Sequence, residues 1–259
     1  MRTPNPRSVR SRLIRRSPFL TLGVVFLSGL WPLNTYGDTY EVVLNHAPPY
    51  RIIDEQAGIK TYAGFYVDFV RELAKRQNLE LQFHEVPFRR ALALMENGAA
   101  DIMTGPNRTP ERESFMVYLD VELTREGKAF YVSPKAADIT RYEELESMYI
   151  GVLRGAKYFK RFDEDKMLRK YAVGNYSTAL RMVSKGRIDV VVMPELLGDY
   201  INKTNAFALR KASFKVAGQP SFIAVSKKSK LAQSVKELEV ALRNMKADGT
   251  IDRIIGRYR

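Results

Sequence analysis

From Asp38 onward, short apolar runs alternate with stretches in which apolar residues recur every three or four positions. Tyr40–Leu44 (YEVVL) reads as a buried strand, closed by Pro48-Pro49. After Gly64, residues Tyr66, Phe69, Val70, Leu73 and Ala74 form one face of a helix. Leu79, Leu81 and Phe83 alternate as in a strand. Ala91, Leu92, Leu94 and Met95 form a second helix face stopped by Gly98, and Ala100–Met103 is again a strand. A second series follows: strand Tyr149–Leu153, a helix after Gly155, strand Lys170–Val173, helix Ser177–Ser184 and strand Ile188–Met193. Phe222–Val225 is a further strand, and helices around Leu231–Met245 and Thr250–Tyr258 flank Gly249. This is the grammar of an α/β protein with parallel strand pairing.

The two series echo each other. RALALMENGAADIM (Arg90–Met103) matches TALRMVSKGRIDVV (Thr178–Val191) at a constant offset of 88 residues. In each, an Ala-Leu helix stops at a glycine (Gly98, Gly186), and an aspartate (Asp101, Asp189) opens a buried strand. Two similarly built lobes are expected, with a cleft at the carboxyl ends of their strands, where open α/β sheets place ligands. The segments to search are therefore Asn45–Tyr50, Thr104–Arg112, Arg154–Tyr158 and Pro194–Leu197.

Composition narrows the chemistry. The 259 residues contain no cysteine, which excludes disulfides, thiol nucleophiles and thiolate metal sites, and the two histidines, His46 and His84, have no metal-ligand spacing. No cofactor is implied. The net charge of +13 invites a nucleic-acid reading, but residues 1–37 hold six arginines and no acid, which leaves +7 for the remainder. The remaining basic residues are scattered between acids, with no aromatic-interleaved stripe, so a nucleic-acid partner is not expected. The apolar run Phe19–Leu30 has 12 residues; at about 1.5 Å each it spans roughly 18 Å, short of a bilayer core of about 30 Å. Basic, apolar and small residues in that order predict a secretory signal over 1–37, cleaved near Gly37-Asp38, and a periplasmic location. Arg15-Arg16 hints at twin-arginine export, but Ser17-Pro18 displaces Phe19-Leu20 by one residue, and ordinary secretion fits better.

The loop TGPNRTPER (Thr104–Arg112) carries the strongest candidate chemistry. Thr109 before Pro110 predicts a capped helix start. Arg112 would present its planar fork to a carboxylate, in charge-assisted bonds worth about 1.5–3 kcal/mol; the bland alternative is a surface ion pair.

Six motifs occur in order: Gly64–Phe69 (GFYVDF), the Arg90–Met103 unit, Thr109–Arg112 (TPER), Gly151–Gly155 (GVLRG), Gly186–Asp189 (GRID) and Met245–Ile251 (MKADGTI). Together they resemble the periplasmic solute-binding proteins of the polar amino-acid uptake family, over essentially all of the chain after the leader. The resemblance implies a two-lobed α/β fold of the type II periplasmic-binding kind, with the lobes joined by two crossings. Lobe 1 would be 38–126 plus 219–259, and lobe 2 would be 127–218. It further implies that Arg112 grips a ligand carboxylate, that Asn107 bonds the ligand's polar groups, and that Phe65 lines the pocket. The Gly155, Ala156, Lys157 turn would cap the carboxylate from lobe 2, aided by the following helix N-terminus.

Two departures stand out. The position where the family commonly carries an ammonium-binding Asp is Pro194, followed by Glu195, and a common aromatic three residues before Tyr50 is Ala47. Glu195 either replaces that Asp or serves only the helix dipole. Tyr50 is a pocket wall or a packed aromatic, Phe65 a ligand contact or core, and Lys157 solvated or facing an anion. His46 reads as a satisfied strand-end histidine; Asp101 and Asp189 read as structural.

The function implied is non-catalytic capture of a small polar, carboxylate-bearing solute by a monomer, for delivery to the membrane permease of an ABC-type transporter. Two alternatives stay open. One is a sensor that reports its ligand to a separate protein. The other is an enzyme resembling the periplasmic dehydratase on this scaffold, with Glu195 as the acid it would need.

Overall fold

The computed structural model describes residues 38–258; the leader read over 1–37 lies outside them. The chain begins with β1 (Thr39–Leu44), then a hairpin of β2 (Ile52–Gln56) and β3 (Ile59–Ala63), α1 (Phe65–Gln77), β4 (Glu80–Glu85) and α2 (Phe88–Asn97). β5 (Ile102–Thr104), the one-turn α3 (Pro110–Glu113), β6 (Met116–Tyr118) and β7 (Thr124–Val132) follow. The second series is β8 (Tyr149–Leu153), α4 (Lys160–Glu164), β9 (Arg169–Val173), α5 (Tyr176–Ser184), β10 (Val190–Pro194), α6 (Glu195–Thr204) and β11 (Arg210–Ser221). β12 (Ile223–Ser226), α7 (Val235–Ala247) and α8 (Thr250–Gly256) close the chain.

Local signals explain most element ends. α1 buries Phe65, Phe69, Val70 and Leu73 and stops at Asn78 in the left-handed region, while α2 stops at Gly98 with φ +83°. The Gly64 that opens α1 has φ +103°, and a Cβ there would lie 2.5 Å from the Tyr50 carbonyl oxygen. Only glycine allows that approach. Thr109 accepts the Arg112 amide and Pro110 takes the first helical position, as the sequence predicts.

Two five-stranded sheets form, ordered β4-β1-β5-β12-β6 and β11-β7-β10-β8-β9. Reversing the second gives β9-β8-β10-β7-β11, the same path as the first. Directions agree as well: β1 is parallel to β4 and β5, as β8 is to β9 and β10. β12 is antiparallel to β5 and β6, as β7 is to β10 and β11. The echo at offset 88 is therefore one α–β unit used twice, α2–β5 and α5–β10. Its aspartates do the same work: Asp101 accepts the Glu41 amide at 2.7 Å and Asp189 the Tyr149 amide at 2.7 Å, each clamping two neighbouring strands.

The expected parallel pairing is present in each sheet, and antiparallel strands extend it into mixed sheets. β7 and β12 are reached without a helical crossover, so nothing holds them to the parallel direction. β7 and β11 also escape the sequence reading. β11 alternates polar and apolar residues at a sheet edge, without the dense apolar run that marks a buried strand. The helix expected directly after Gly155 starts only at Lys160. Gly155 turns with φ +84°, and the Tyr158 amide donates to the Asp163 carboxylate (3.0 and 3.1 Å), holding a non-helical turn between them. The expected helix near Leu231 opens as a 3-10 turn, Lys230–Ser234, before α7. Tyr66, Phe69, Phe130, Tyr131 and Phe162 are among the largest fully buried side chains of the core; burying a side chain of this kind stabilises by about 1.5–3 kcal/mol.

Candidate ligand-binding site

A cavity of about 60 Å³ lies where the ends of the two sheets face each other, lined by residues of both. From the first sheet, the loop after β5 supplies Arg112. The residue is 3% exposed; its guanidinium lies 5.6 Å from the Phe88 ring centroid and donates from Nη1 to the Asn107 carbonyl (2.8 Å) and from Nη2 to the Gly155 carbonyl (2.9 Å). Burial lowers the Arg112 pKa, and the same burial pushes Tyr118, whose hydroxyl donates to the Asn107 carbonyl, up to about 12. The Asn107 side chain donates to the Lys157 carbonyl at 2.7 Å. Asn107 and Arg112 thus tie the first sheet's loop to the Gly155–Lys157 turn of the second.

The tight turn after β1 supplies the opposite wall. Ala47 and Arg51 exchange two backbone hydrogen bonds (2.8 and 2.9 Å), which turns the Tyr50 and Arg51 side chains inward. Tyr50 stacks on Tyr66 at 5.4 Å and meets Phe65 edge-on at 4.9 Å. Arg51 is 8% exposed and donates to the Asn45 (3.2 Å) and Thr104 (2.6 Å) carbonyls. Burial lowers its pKa, while Tyr66 and Glu126 pull it back up. His46 accepts the Ile53 amide through Nδ1 at 3.1 Å, the satisfied strand-end role the sequence suggests.

The second sheet brings Lys128 from β7, Pro194 from β10, and Tyr158 and Tyr176 from the elements behind the turn. Lys128 is 5% exposed. Its ammonium lines the cavity and, among the described residues, makes no hydrogen bond or ion pair with a protein group. Burial lowers its pKa, and the nearby Glu126 raises it. Glu126 accepts hydrogen bonds from the Tyr66 hydroxyl and the Thr124 hydroxyl (3.3 Å). Among the described residues, Asn45 Oδ1 is a buried side-chain polar atom without a partner.

The candidate residues divide between two spaces. Tyr50, Asn107, Arg112, Ala156 and Lys157 line the 60 Å³ cavity, while Gly155 reaches Arg112 through its carbonyl. Phe65 and Glu195 instead line an adjoining cavity of about 300 Å³ that shares Tyr50 and Glu126 with the first. There Glu195 Oε1 is held by Lys211 at 2.8 Å, and Lys211 also reaches Asp199 at 2.9 Å. Arg51, Lys128 and Glu126 escaped the sequence reading. Lys128 carried a usable sign, because it directly precedes the apolar run Ala129–Val132. Arg51 carried none.

The family comparison agrees with this architecture. Residues 42–259 match the model of the bacterial extracellular solute-binding proteins, family 3, and the chain belongs to that family. A probable histidine-binding protein of Neisseria gonorrhoeae is 25% identical over 239 residues, covering 88% of this chain and 85% of the relative. Among solved structures, an ancestral arginine-binding protein bound to arginine superposes with a TM-score of 0.74 at 25% identity, covering 85% of this chain and 97% of that one. A histidine kinase sensor domain with similarity to periplasmic binding proteins has a TM-score of 0.75 at 20% identity, covering 86% and 96%. The fold is the two-lobed α/β fold of periplasmic binding proteins, and the protein is a solute-binding protein. No helix among the described residues is long and apolar enough to cross a membrane.

Proposed function

We propose that this protein works in the periplasm as a monomer, captures a small polar solute carrying a carboxylate (an amino acid or a related acid) and presents it to the permease of an ABC-type transporter. The reading rests on Arg112, buried at the cavity, whose Nη2 is occupied among the described residues by a neutral backbone carbonyl, that of Gly155. A ligand carboxylate in that place exchanges a neutral acceptor for a charged one, and charge-assisted bonds are roughly twice as strong. A cavity of 60 Å³ has room for a few waters, while ligand pockets usually measure about 300–1,000 Å³. Ligand entry therefore requires the Arg112–Gly155 and Asn107–Lys157 contacts to part and to close again over the bound solute.

The lobes in this reading are 38–126 plus 219–259, and 127–218. Pairing of Gln219 with Glu126, Pro220 with Arg125 and Ser221 with Thr124 keeps the two crossings side by side, as a hinge requires. Capture without turnover is supported by the carboxyl groups at hand: Glu126 is engaged by Tyr66 and Thr124, and Glu195 by Lys211.

Calorimetry on unfolded and refolded, ligand-free 38–259, with a panel of amino acids and organic acids, tests the reading. Carboxylate-bearing ligands should bind, and Arg112→Ala should weaken the best of them at least about tenfold. Unchanged affinity in the variant would remove Arg112 from the site. Co-purification with a permease, as opposed to a sensor protein, checks the partner.

A further inference from the structure

The charges lining the cavity do not balance. Arg51, Arg112 and Lys128 are 8%, 3% and 5% exposed, and the carboxylate that lines the cavity with them is Glu126. The two arginines spend donors on backbone carbonyls. The Lys128 ammonium has no hydrogen-bond partner among the described residues. A cation held at the wall of so small a cavity is poorly hydrated, and an anionic ligand supplies the interaction that the folded chain does not.

The position of Lys128 sharpens the point. In the pairing of β10 with β7, Lys128 lies directly opposite Pro194. Side chains so placed have Cβ atoms about 4.5–5.5 Å apart. Pro194 stands where the resemblance expects an acid for a ligand ammonium. Here that strand end carries no charge, its cross-strand neighbour is a cation, and Glu195 is turned to Lys211 beside the adjoining cavity. The site has gained a cation where an anion was expected.

We propose that the ligand carries two carboxylates, one held by Arg112 and the second by Lys128. This rests on the carboxylate reading above and names the ligand class. Lys128 then sets specificity by rejecting ligands whose second polar group is neutral or positive, since these leave its ammonium unpaired. Dicarboxylic acids and acidic amino acids share this chemistry. The unpartnered Asn45 Oδ1 offers an acceptor that an amino group would use and a plain dicarboxylate would not.

Two ligand pairs isolate the second carboxylate: succinate against succinamate, and L-aspartate against L-asparagine. With the refolded wild-type protein, the diacid of at least one pair should bind at least about tenfold more tightly than its amide, a ratio in line with a charge-assisted bond. The pair holding the tighter diacid identifies the source, dicarboxylate or acidic amino acid. In Lys128→Met the ratio should fall to within about threefold of unity. A wild-type ratio near unity in both pairs, tighter binding of L-arginine than of any diacid, or a ratio that survives in Lys128→Met would overturn the proposal. The wild-type ratios decide the matter even if the variant does not fold. Failure of the carboxylate reading itself looks different: no acid of either pair binds at all, and Arg112→Ala changes nothing for whatever ligand does.

Discussion

In the first sheet, β5 runs into Thr104 and the loop that buries Arg112; in the second, its counterpart β10 runs into Pro194 and then Glu195, which faces Lys211. The preceding parts of the two units match closely. Each has an amphipathic helix, an aspartate clamping two strands at 2.7 Å, and a short buried strand between a parallel and an antiparallel neighbour. The scaffold is thus set by interactions repeated in both halves, while the chemistry over the cavity is set by the few residues after each strand, where the halves differ. A change in a strand-end loop leaves the packing beneath it intact, which is how one fold serves different ligands.

The largest effect expected from breaking this asymmetry is on affinity. Arg112→Ala removes the cation proposed to grip the ligand at the first strand end and should cost about 1.5–3 kcal/mol, roughly 10- to 150-fold in the dissociation constant. Next comes Pro194→Asp, which gives the second strand end the acid that the resemblance expects. Opposite Lys128 the new carboxylate should neutralise the ammonium, and affinity for the better diacid should fall by about tenfold or more. Titration calorimetry reads both; unchanged diacid affinity in Pro194→Asp would show that Lys128 does not face the ligand.

Lys128→Met should act on stability in the opposite direction. Replacing an unpartnered buried ammonium with an apolar side chain should stabilise the ligand-free protein by about 1–3 kcal/mol. At about 2–4 °C per kcal/mol, that is a melting temperature several degrees higher. The sign follows from the depressed pKa: the unfolded chain holds this proton more tightly, so this residue's contribution to wild-type stability rises with pH up to the ordinary lysine range. The variant's advantage should therefore shrink as pH approaches that range. A lower melting temperature at neutral pH would show that Lys128 is structurally compensated.

The smallest effects test the symmetric part. Asp101→Ala and Asp189→Ala each remove one carboxylate-to-amide clamp, worth on the order of 1 kcal/mol. Asp101 is half-buried and Asp189 exposed, so the first substitution should cost slightly more. Equal melting losses would mean that exposure does not separate the two clamps.

Much of the scaffold is legible in the order of residues. Gly98 ending a helix, Thr109-Pro110 starting one and the echo at offset 88 all express backbone rules that act within a few residues. Of the strands that failed to show themselves (β2, β3, β6, β7 and β11), β7 and β11 owe their pairing to partners far away in the chain. β11 is an edge strand whose polar alternation is also that of a solvated loop. Arg112 was readable because a capped turn and a family motif surround it. Asn107, Tyr50, Ala156 and Lys157 line the same cavity.

The fold class, the two matched units and the identity of one buried cation thus follow from the order of residues, because periodicity, caps and turn glycines are local. The register of β7 on β10 does not. It places Lys128 opposite Pro194, as the Ala47–Arg51 turn places Arg51 beside Thr104 and as Lys211 draws Glu195 toward the adjoining cavity. These contacts join residues 16, 53 and 66 positions apart, and whether a charge there has a partner depends on everything packed around it.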